Sequence, residues 1–370
     1  MKICVFGTRG FPQVEGGVEK HCESIYTLLA QNPDVEITVF RRKPYIRTTA
    51  EECSGIRFVD LPSTRIKGVE AMLHSFLACI RAIAMRPDVV HIHNIGPCLF
   101  APLLKLFGIP VVMTYHSANY EHKKWGRGAK ALLRFCERVA FRCTDRMIFV
   151  NRFRMEESPR TVQQKSTYIP NGIRLPEISE NRTYLEKYDL LQGKYILSVG
   201  RITPEKGFHT LIEAFGMQHR PGCKLVIAGG VEFENSYSKR LQELSKDLPV
   251  VFTGYIYGEE LAQLYANADL FVLASENEGF PIVVLEAMSY NRNLLVSDLP
   301  ATRLIALEEQ DYFPVSDARI LSGKMEEKLS QPAQKVYDLS KYSWQTVANQ
   351  TLAVLREASG KQAEKESINV

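Results

Sequence analysis

Two carboxylates stand eight residues apart in the stretch Ser275–Ala287, between a segment typical of a strand and a pattern typical of a helix. Pro281 suits the first helical position, where a missing N–H costs nothing. The free amides there bind anions, assisted by the helix dipole. Glu278 lies on the loop at this entrance, and the side chain of Glu286, just over one turn into the helix, leans back towards it. Either residue alone suits a capping or exposed glutamate, but the pair predicts an anion pocket flanked by acceptors for the hydroxyls of a sugar and a ribose.

A second candidate anion site is the segment Ser198–Gly207, which joins another predicted strand to a helix. Arg201 and Lys206 flank a Thr-Pro turn there, so their cationic groups can converge on one anion. An arginine fork and a lysine point charge suit a diphosphate. The alternative that stays open is two surface cations, one of them paired with Glu205.

Paired glycines near the N-terminus form a third candidate. Gly16 and Gly17 open the helix that follows the first strand, and glycine lets the backbone approach a ligand closely. The pattern is not the G-x-G-x-x-G of a dinucleotide fold. In addition, the second strand ends in Arg41 and Arg42, where such a fold carries an acidic residue for the ribose. These features argue against an NAD-dependent oxidoreductase.

Histidines end two predicted strands of the first half. His91 and His93 alternate, so they face one side of a strand, with Asn94 next, and His116 ends the following strand. A metal site needs more ligands than this pair supplies, and no matching set of Asp, Glu or Cys is evident, so we predict no metal. We interpret His116 as a side chain at a cleft that donates to a sugar hydroxyl. The alternative is a polar corner with no ligand.

Charge is distributed unevenly. Residues 1–175 carry 26 Lys and Arg against 15 Asp and Glu, whereas residues 176–370 carry 20 against 27. Within the basic stretch 123–146, cations recur every four residues, at Lys130, Arg134, Arg138, Arg142 and Arg146. Two interpretations stay open: peripheral contact of a helix with anionic lipid head groups, or a solvated face. Nucleic acid is not expected as a partner, because no aromatic strand platform accompanies the charge.

Strand and helix patterns alternate through both halves of the chain, which is typical of two doubly wound α/β domains. The turn Ile169–Gly172 is the predicted hinge, giving domains at 1–172 and 173–342 and a closing helix at 343–370. No run of 18 apolar residues or signal peptide is evident, and the eight cysteines lack regular spacing, so a cytoplasmic location is expected. The predicted strands are Lys2–Phe6, Ile37–Phe40, Val89–His93, Val111–Thr114, Met147–Val150, Tyr195–Val199, Lys224–Ile227, Val250–Phe252, Leu270–Leu273 and Leu294–Val296.

The two anion-site segments, 200–207 and 278–286, together resemble the paired signatures of family 4 of the retaining GT-B glycosyltransferases, whose Glu-x7-Glu element the second segment matches. The opening Gly7–Glu19 and the segment Glu121–Gly126 resemble a bacterial branch that includes rhamnosyltransferases of capsule and exopolysaccharide assembly. The resemblance implies two Rossmann-like, doubly wound parallel-sheet domains facing a central cleft. The first would bind the acceptor and the second the nucleotide sugar, with the C-terminal helix crossing back to the first.

The resemblance also implies roles for the site residues. Arg201 and Lys206 would neutralise the donor diphosphate, Glu286 would bind the ribose, Glu278 the transferred sugar, and His116 would contact that sugar or support oxocarbenium-like charge. Donor-binding residues would be Gly16, Gly17, Arg201, Lys206, Gly230, Glu278, Gly279, Phe280 and Glu286. Acceptor-binding residues would be His93, Asn94 and Asn119. No cofactor is expected beyond the donor, a nucleotide-diphosphate sugar, and the acceptor would be a glycan or a polyprenyl-linked sugar.

One departure from the family pattern bears on sugar preference, since Pro281 stands where many relatives have glycine and cannot donate an amide. Alternatives from other classes stay open: an NAD-dependent oxidoreductase, a non-catalytic membrane-associated protein, and a phosphorylase or epimerase on the same fold. A retaining glycosyltransferase accounts for both anion-site segments together.

Overall fold

The computed structural model describes residues 1–361 apart from 15, 47–51, 54, 65, 67–68, 118–125, 174–175, 177–180, 192, 219–220, 232–234 and 332–334. Asn119 and residues 123–125 of the basic stretch therefore lie outside the described residues. The chain divides into two compact units: unit 1 is Met1–Gly172 with the segment from Tyr342 onward, and unit 2 is Ile173–Lys341. No helix in the described ranges combines the length and apolar composition needed to cross a bilayer.

Unit 1 is built on one sheet of eight strands. These are β1 (Lys2–Phe6), β2 (Glu36–Arg42), β3 (Glu52–Cys53), β4 (Ile56–Leu61), β5 (Val89–His93), β6 (Val111–Tyr115), β7 (Arg146–Phe149) and β8 (Ser166–Tyr168). Their order is β3-β4-β2-β1-β5-β6-β7-β8, and every neighbouring pair is parallel except β3 with β4. The central strands β5 and β6 are buried along their whole length, as parallel strands covered on both faces must be.

Helices connect these strands. They are α1 (Gly17–Leu29), α2 (Val69–Met85), α3 (Ala101–Leu106), α4 (Arg127–Cys143), α5 (Arg152–Glu156) and α6 (Arg160–Gln163). α2 contacts α3, and α3 contacts α4, so these three form one helical layer. Ala78, Ala101 and Ala140, one from each, are fully buried in the core beneath that layer. Small residues at these positions let the helices lie close to the sheet.

Unit 2 has a second, six-stranded parallel sheet. Its strands are β9 (Tyr195–Val199), β10 (Lys224–Ala228), β11 (Val250–Gly254), β12 (Leu270–Leu273), β13 (Asn293–Ser297) and β14 (Tyr312–Phe313), in the order β11-β10-β9-β12-β13-β14. Its helices are α7 (Thr183–Lys187), α8 (Phe208–Gly216), α9 (Ser236–Leu244), α10 (Gly258–Asn267), α11 (Ile282–Ser289), α12 (Pro300–Arg303) and α13 (Ala318–Leu329). The order reverses between β9 and β12, and ligands of open parallel sheets bind at such a switch point. The predicted pair of doubly wound parallel-sheet folds is confirmed.

The C-terminal helix α14 (Trp344–Ser359) packs within unit 1, against α1, β5, β6 and β7. Trp344 lies so close to Gly172 that a Cβ on this glycine would come within 2.6 Å of the indole ring. Arg146 in β7 pairs with Glu357 of α14 at 2.7 Å. The four-residue spacing placed Arg146 in the same cationic stripe as Arg142. The structure does not, because α4 ends at Cys143 and Arg146 lies in β7.

Candidate functional site

Glu278 lies on the loop between β12 and α11, at the carboxyl end of a central strand of unit 2. Its Oε1 accepts hydrogen bonds from Nζ of Lys206 and from Oγ of Ser275, both at 2.6 Å. The side chains of Lys206 and Glu278 are 19% and 10% exposed. The structure thus joins one predicted residue from each anion-site segment in an ion pair. Lys206 pairs with Glu278, whereas the alternative left open by the sequence was that one of the two cations, Arg201 or Lys206, pairs with Glu205.

Backbone contacts hold the two anion-site loops together. Gly207 adopts a left-handed conformation at φ +63°, and a Cβ there would come within 2.0 Å of the carbonyl oxygen of Ala274. Next to this contact, the amide of Glu276 donates to the carbonyl of Glu205 at 2.8 Å. The glycine is therefore required by both its φ and the close approach, and it sets Lys206 beside Glu278.

Pro281 is the residue before α11, not its first helical residue. Its ψ of 97° is extended, and the helix begins at Ile282. The sequence prediction was wrong by one position, because proline tolerates both the N-cap and the first turn. The consequence is that the first free amide of α11 belongs to Ile282.

Glu286, one turn into α11, is 8% exposed. Its Oε2 accepts a hydrogen bond from the hydroxyl of Tyr265 at 2.8 Å. Tyr265 itself is held by stacking on Tyr290, with ring centroids 5.5 Å apart. A carboxylate oriented in this way can accept two hydrogen bonds from a vicinal diol, such as that of a ribose.

Arg201 follows β9 and is partly exposed. No described residue forms a hydrogen bond or an ion pair with its guanidinium. Gly200, next to Arg201, lies close to Gly229 in the loop after β10, since a Cβ on Gly229 would come within 1.9 Å of the Gly200 carbonyl oxygen. Arg201 is thus a partly exposed cation at the carboxyl end of β9, where the ion pair of Lys206 also lies.

A cleft of about 370 Å³ opens at the carboxyl ends of β10 and β11. Gly230, predicted as a ligand contact, lines it together with Val231, Gln242 and Tyr255. The ring of Tyr255 lies where a Cβ on Gly230 would stand, at 2.7 Å. Of the other predicted residues, Gly279 and Phe280 continue the Glu278 loop, and Phe280 is 6% exposed.

In unit 1, Gly16 caps α1 with φ +140°, and a Cβ on Gly17 would meet nothing within 4 Å. The carboxylate of Glu19, in the first turn, accepts from the hydroxyl of Thr8 at 3.2 Å and from the amide of Arg9 at 3.1 Å. The loop after β1 therefore has an anionic partner from the chain itself. The open surface at Gly17 leaves the helix N-terminus accessible to a ligand.

A continuous chain of hydrogen bonds, here called the imidazole chain, runs through unit 1. Thr114 Oγ1 lies 2.8 Å from His91 Nε2, and His91 Nδ1 lies 2.7 Å from the Tyr26 hydroxyl. The same hydroxyl is 2.7 Å from His93 Nε2, and His93 Nδ1 is 3.0 Å from His116 Nε2. The first four side chains are fully buried, whereas His116 is 8% exposed. His91 and His93 therefore face one side of β5, as their alternation predicted, and His116 is the member of the chain nearest the surface.

Burial keeps the imidazole chain neutral. It lowers the pKa of His91 to about 3 and the pKa values of His93 and His116 well below the ordinary value, with repulsion from neighbouring imidazoles adding to the effect for each. Burial also raises the pKa of Tyr26 well above its ordinary value. Each imidazole therefore carries one proton at neutral pH.

A fourth histidine lies beside the outer end of the chain. His21, on α1, bonds Asn171 Oδ1 through Nδ1 at 2.7 Å, and its ring meets those of His116 and Trp344 edge-on. One nitrogen each of His21, His93 and His116 lie within 4.8 Å of one another, a donor set that zinc accepts. The sequence argument counted only His91 and His93 as possible ligands and so missed His21, which lies on a different element.

Asn94 adopts φ +73° and donates through Nδ2 to the Gly7 carbonyl at 3.2 Å. This bond ties the end of β5 to the loop after β1. Ser275, Tyr265 and Tyr26 are site residues that sequence reasoning did not single out. Their signal was weak, because a serine at a strand end and tyrosines inside amphipathic helices are common in any α/β domain.

Two family models match the chain. The model described as Glycosyltransferase Family 4 matches residues 15–176, and the model described as Glycosyl transferases group 1 matches residues 182–343. An uncharacterized glycosyltransferase of Methanocaldococcus jannaschii is 27% identical over 388 residues, covering 97% of this chain and 98% of that protein.

Solved structures share the fold. Sucrose-phosphate synthase from Thermosynechococcus elongatus superposes with a TM-score of 0.81 at 21% identity, covering 96% of this chain and 98% of that one. Anabaena HepE, solved in complex with UDP-glucose, gives a TM-score of 0.71 at 16% identity, covering 97% and 98%.

Proposed function

Because the chain belongs to the group 1 family of GT-B glycosyltransferases, we propose that it is a retaining, metal-independent enzyme acting on a nucleotide-diphosphate sugar. Its acceptor is a glycan or a polyprenyl-linked sugar of bacterial surface polysaccharide assembly, and its location is the cytoplasm. The observation that carries the proposal is the ion pair of Lys206 with Glu278 at the carboxyl ends of β9 and β12, with Arg201 in the same loop as Lys206.

Lys206 and Arg201 stabilise the departing diphosphate. The lysine ammonium has three protons, so it keeps its bond to Glu278 and still donates to phosphate oxygens. Arg201 adds a fork of donors without breaking any bond to another described residue. Fixed cations placed where negative charge develops are usually the largest single contribution to catalysis of this kind. In this proposal the two cations neutralise the charge on the departing diphosphate that a divalent metal neutralises in other transferases.

Glu278 holds hydroxyls of the transferred sugar close to its anomeric carbon. During transfer the bond from that carbon to the diphosphate oxygen breaks, and a bond to the acceptor oxygen forms on the same face. The acceptor's proton passes to an oxygen of the departing phosphate, so no protein base is needed. Same-face exchange retains the anomeric configuration.

The rest of the donor lies along the same sheet edge of unit 2. Glu286, oriented by Tyr265, accepts from the ribose hydroxyls. The cleft at Gly230 and Tyr255 is large enough for a nucleobase, and Tyr255 offers a ring on which a base stacks. The complex of Anabaena HepE with UDP-glucose makes a uridine nucleotide the first donor to test.

In unit 1 the proposal places donor contacts at Gly16, Gly17 and His116. Acceptor contacts fall to the surface around His93 and Asn94, and Asn119 is included from the family resemblance. His93 has no exposed surface and both its nitrogens are bonded, so it acts on a ligand through His116. The opening Gly7–Glu19 supports a branch resembling rhamnosyltransferases.

We also propose peripheral contact between unit 1 and an anionic membrane surface. α2 exposes an apolar ridge whose members are between 40% and 50% exposed: Val69, Leu73, Phe76 and Ile80. Their spacing of three and four residues places them along one side of the helix. Exposed apolar surface that is contiguous marks a site of interaction.

The neighbouring helices add to this ridge. α3 contacts both α2 and α4, and Leu106 and Phe107 at its end are 80% and 59% exposed. Glu137 of α4 is partly buried and accepts a hydrogen bond from the Tyr115 hydroxyl at 2.6 Å, so its carboxylate is directed towards β6. The exposed cations of that helix are Arg127, Arg134, Arg138 and Arg142. Apolar insertion combined with cations at the head groups is how amphipathic helices bind anionic membranes.

A thermal-shift screen of UDP, GDP and dTDP sugars tests the donor proposal. A ligand that binds only the folded state raises the melting temperature, by an amount set by its concentration relative to Kd. We expect one nucleotide series to stabilise the wild type and Lys246→Met, a control that removes an exposed cation of unit 2. Lys206→Met should lose most of the shift. Equal shifts in both variants would refute the assignment of the diphosphate site, and a shift abolished by EDTA would refute metal independence.

A further inference from the structure

The hydrogen bonds of the imidazole chain have a direction as well as a length. We propose that Thr114 acts through His91, Tyr26 and His93 as a positioning residue that fixes the tautomer of His116, with the proton on Nδ1. His116 then presents an N–H donor away from the chain, and it cannot act as a base at that nitrogen.

Each member of the imidazole chain has a fixed number of protons to donate. Tyr26 has one hydroxyl proton but bonds two imidazole nitrogens, so it donates to one and accepts from the other. Each neutral imidazole also has one N–H, and therefore donates at one nitrogen and accepts at the other. Because each interior member donates one hydrogen bond and accepts the other, all the hydrogen bonds of the chain must point the same way, in one of two directions. Reversing one bond reverses all of them.

Thr114 decides which of the two directions the chain takes. Its hydroxyl is fully buried, and among the described residues it has one hydrogen-bond partner, Nε2 of His91. If His91 donated to Thr114, the hydroxyl proton would be buried without an acceptor. The free-energy cost of this unsatisfied hydroxyl proton corresponds to a preference of about 5- to 150-fold for the direction in which Thr114 donates to His91. Thr114 therefore donates.

The direction then follows along the chain. His91 donates through Nδ1 to Tyr26, Tyr26 donates to Nε2 of His93, and His93 donates through Nδ1 to Nε2 of His116. His116 accepts at Nε2, so its own proton is on Nδ1. This step rests on the proposed function: the N–H is directed at a hydroxyl of a bound sugar. A donor fixed in advance needs no reorganisation when the substrate arrives.

The experiment reads the tautomer directly. Protein labelled with 15N at histidine gives separate nitrogen signals for N–H and bare ring nitrogens, and the spectrum of His116→Gln identifies those of His116. We expect the wild type and Thr114→Ser to hold His116 as the Nδ1–H form. Thr114→Val, which keeps the shape and removes the donor, should give a mixture of both forms.

A second variant controls for indirect effects. Tyr26→Phe breaks the chain in its middle, so adding Thr114→Val to it should not change His116 further. An Nε2–H form in the wild type, or a His116 signal unaffected by Thr114→Val, would overturn the proposal. It would also fall if zinc chloride moved the signals of His21, His93 and His116 together, because the three would then be metal ligands.

The kinetic consequence is separable. A change to equal amounts of the two tautomers should lower kcat about twofold, since only one form donates, and leave KM nearly unchanged. If no sugar donor were ever found, the nitrogen spectra would still decide the tautomer. If transfer were found without any effect of Thr114→Val on kcat, the proton assignment could stand while its role in the reaction would be rejected.

Discussion

The ion pair of Lys206 and Glu278 makes stability and catalysis respond in opposite ways to a double substitution. Both side chains are less than one fifth exposed, so removing one partner leaves a largely buried charge. Loss of one member of a fully buried pair costs about 3–5 kcal/mol. With Ser275 still bonded to Glu278 and some solvent access, we expect Lys206→Met to lower the free energy of unfolding by about 2–3 kcal/mol.

Neutralising both members removes the uncompensated charge. Lys206→Met with Glu278→Gln should lie within about 1 kcal/mol of the wild type in stability, because a buried pair is often replaceable by neutral groups. Adding Glu278→Gln should therefore restore about 1–3 kcal/mol of the stability that Lys206→Met alone loses. For a unit of this size each kcal/mol corresponds to about 2–4 °C in melting temperature, so Lys206→Met should melt about 4–12 °C lower and the double variant close to the wild type.

Activity should not recover in the double variant. Removing a preorganised cation costs about 2–4 kcal/mol of transition-state stabilisation, or about 30- to 1,000-fold in rate, and the second substitution restores no cation. The assay is release of nucleotide diphosphate from the donor found by thermal shift, alongside calorimetric unfolding. Arg201→Ala is the matched comparison, since no described residue bonds it, and it should lose rate without losing stability. A double variant that regained activity would show that the pair is structural and not catalytic.

Three further outcomes follow from the structure. Tyr265→Phe should weaken nucleotide-diphosphate binding about fivefold, as measured by calorimetry, because Glu286 loses a hydrogen bond worth about 1 kcal/mol. Unchanged affinity would contradict the role of Tyr265 in orienting the Glu286 carboxylate. The free energy of unfolding should fall as the pH drops from 6.5 towards 3, by about 1.4 kcal/mol per pH unit for each histidine of the imidazole chain. The reason is that the unfolded state takes up protons that the folded state excludes. A urea unfolding midpoint that stayed the same between pH 7 and pH 5 would contradict this. In vesicle sedimentation, Arg138→Ala should weaken binding to phosphatidylglycerol vesicles about fivefold, and Phe76→Glu should weaken it further. The control Met217→Glu, at an exposed apolar residue of unit 2, should have no effect, and equal binding to neutral vesicles would contradict the charge argument.

The fold was predictable because central parallel strands are continuous apolar runs. Four of the predicted strands match the structure at both ends, and they are Lys2–Phe6, Val89–His93, Tyr195–Val199 and Leu270–Leu273. The strands missed lie near sheet edges. β4 contains two exposed charged residues, Arg57 and Asp60, and β8 and β14 have only three and two residues. An edge strand buries less surface, so its sequence lacks the continuous apolar run that identifies a central strand.

The site was predictable in its parts but not in its pairings. Strand-end position places Arg201, Lys206 and Glu278 along one edge of unit 2, which follows from parallel topology. That Lys206 contacts Glu278, 72 residues away, depends on Gly207 approaching Ala274, and no local pattern contains such a distance. Short-range spacing could therefore offer only the neighbour Glu205, as an alternative partner for one of the two cations.

Burial explains why the two units offer different chemistry. In unit 2 the candidate groups are charged and keep partial contact with water, as Lys206 does, because a departing diphosphate needs full positive charge and isolated buried ions are too costly. In unit 1 the imidazoles are buried and remain neutral, so they can provide direction but not charge. A neutral donor suits a sugar hydroxyl, which carries no charge to stabilise, and it does not compete with the cations for phosphate. If His116 were found protonated at neutral pH in the folded protein, this division would fail, and the chain would have to be regarded as a third cation for the leaving group.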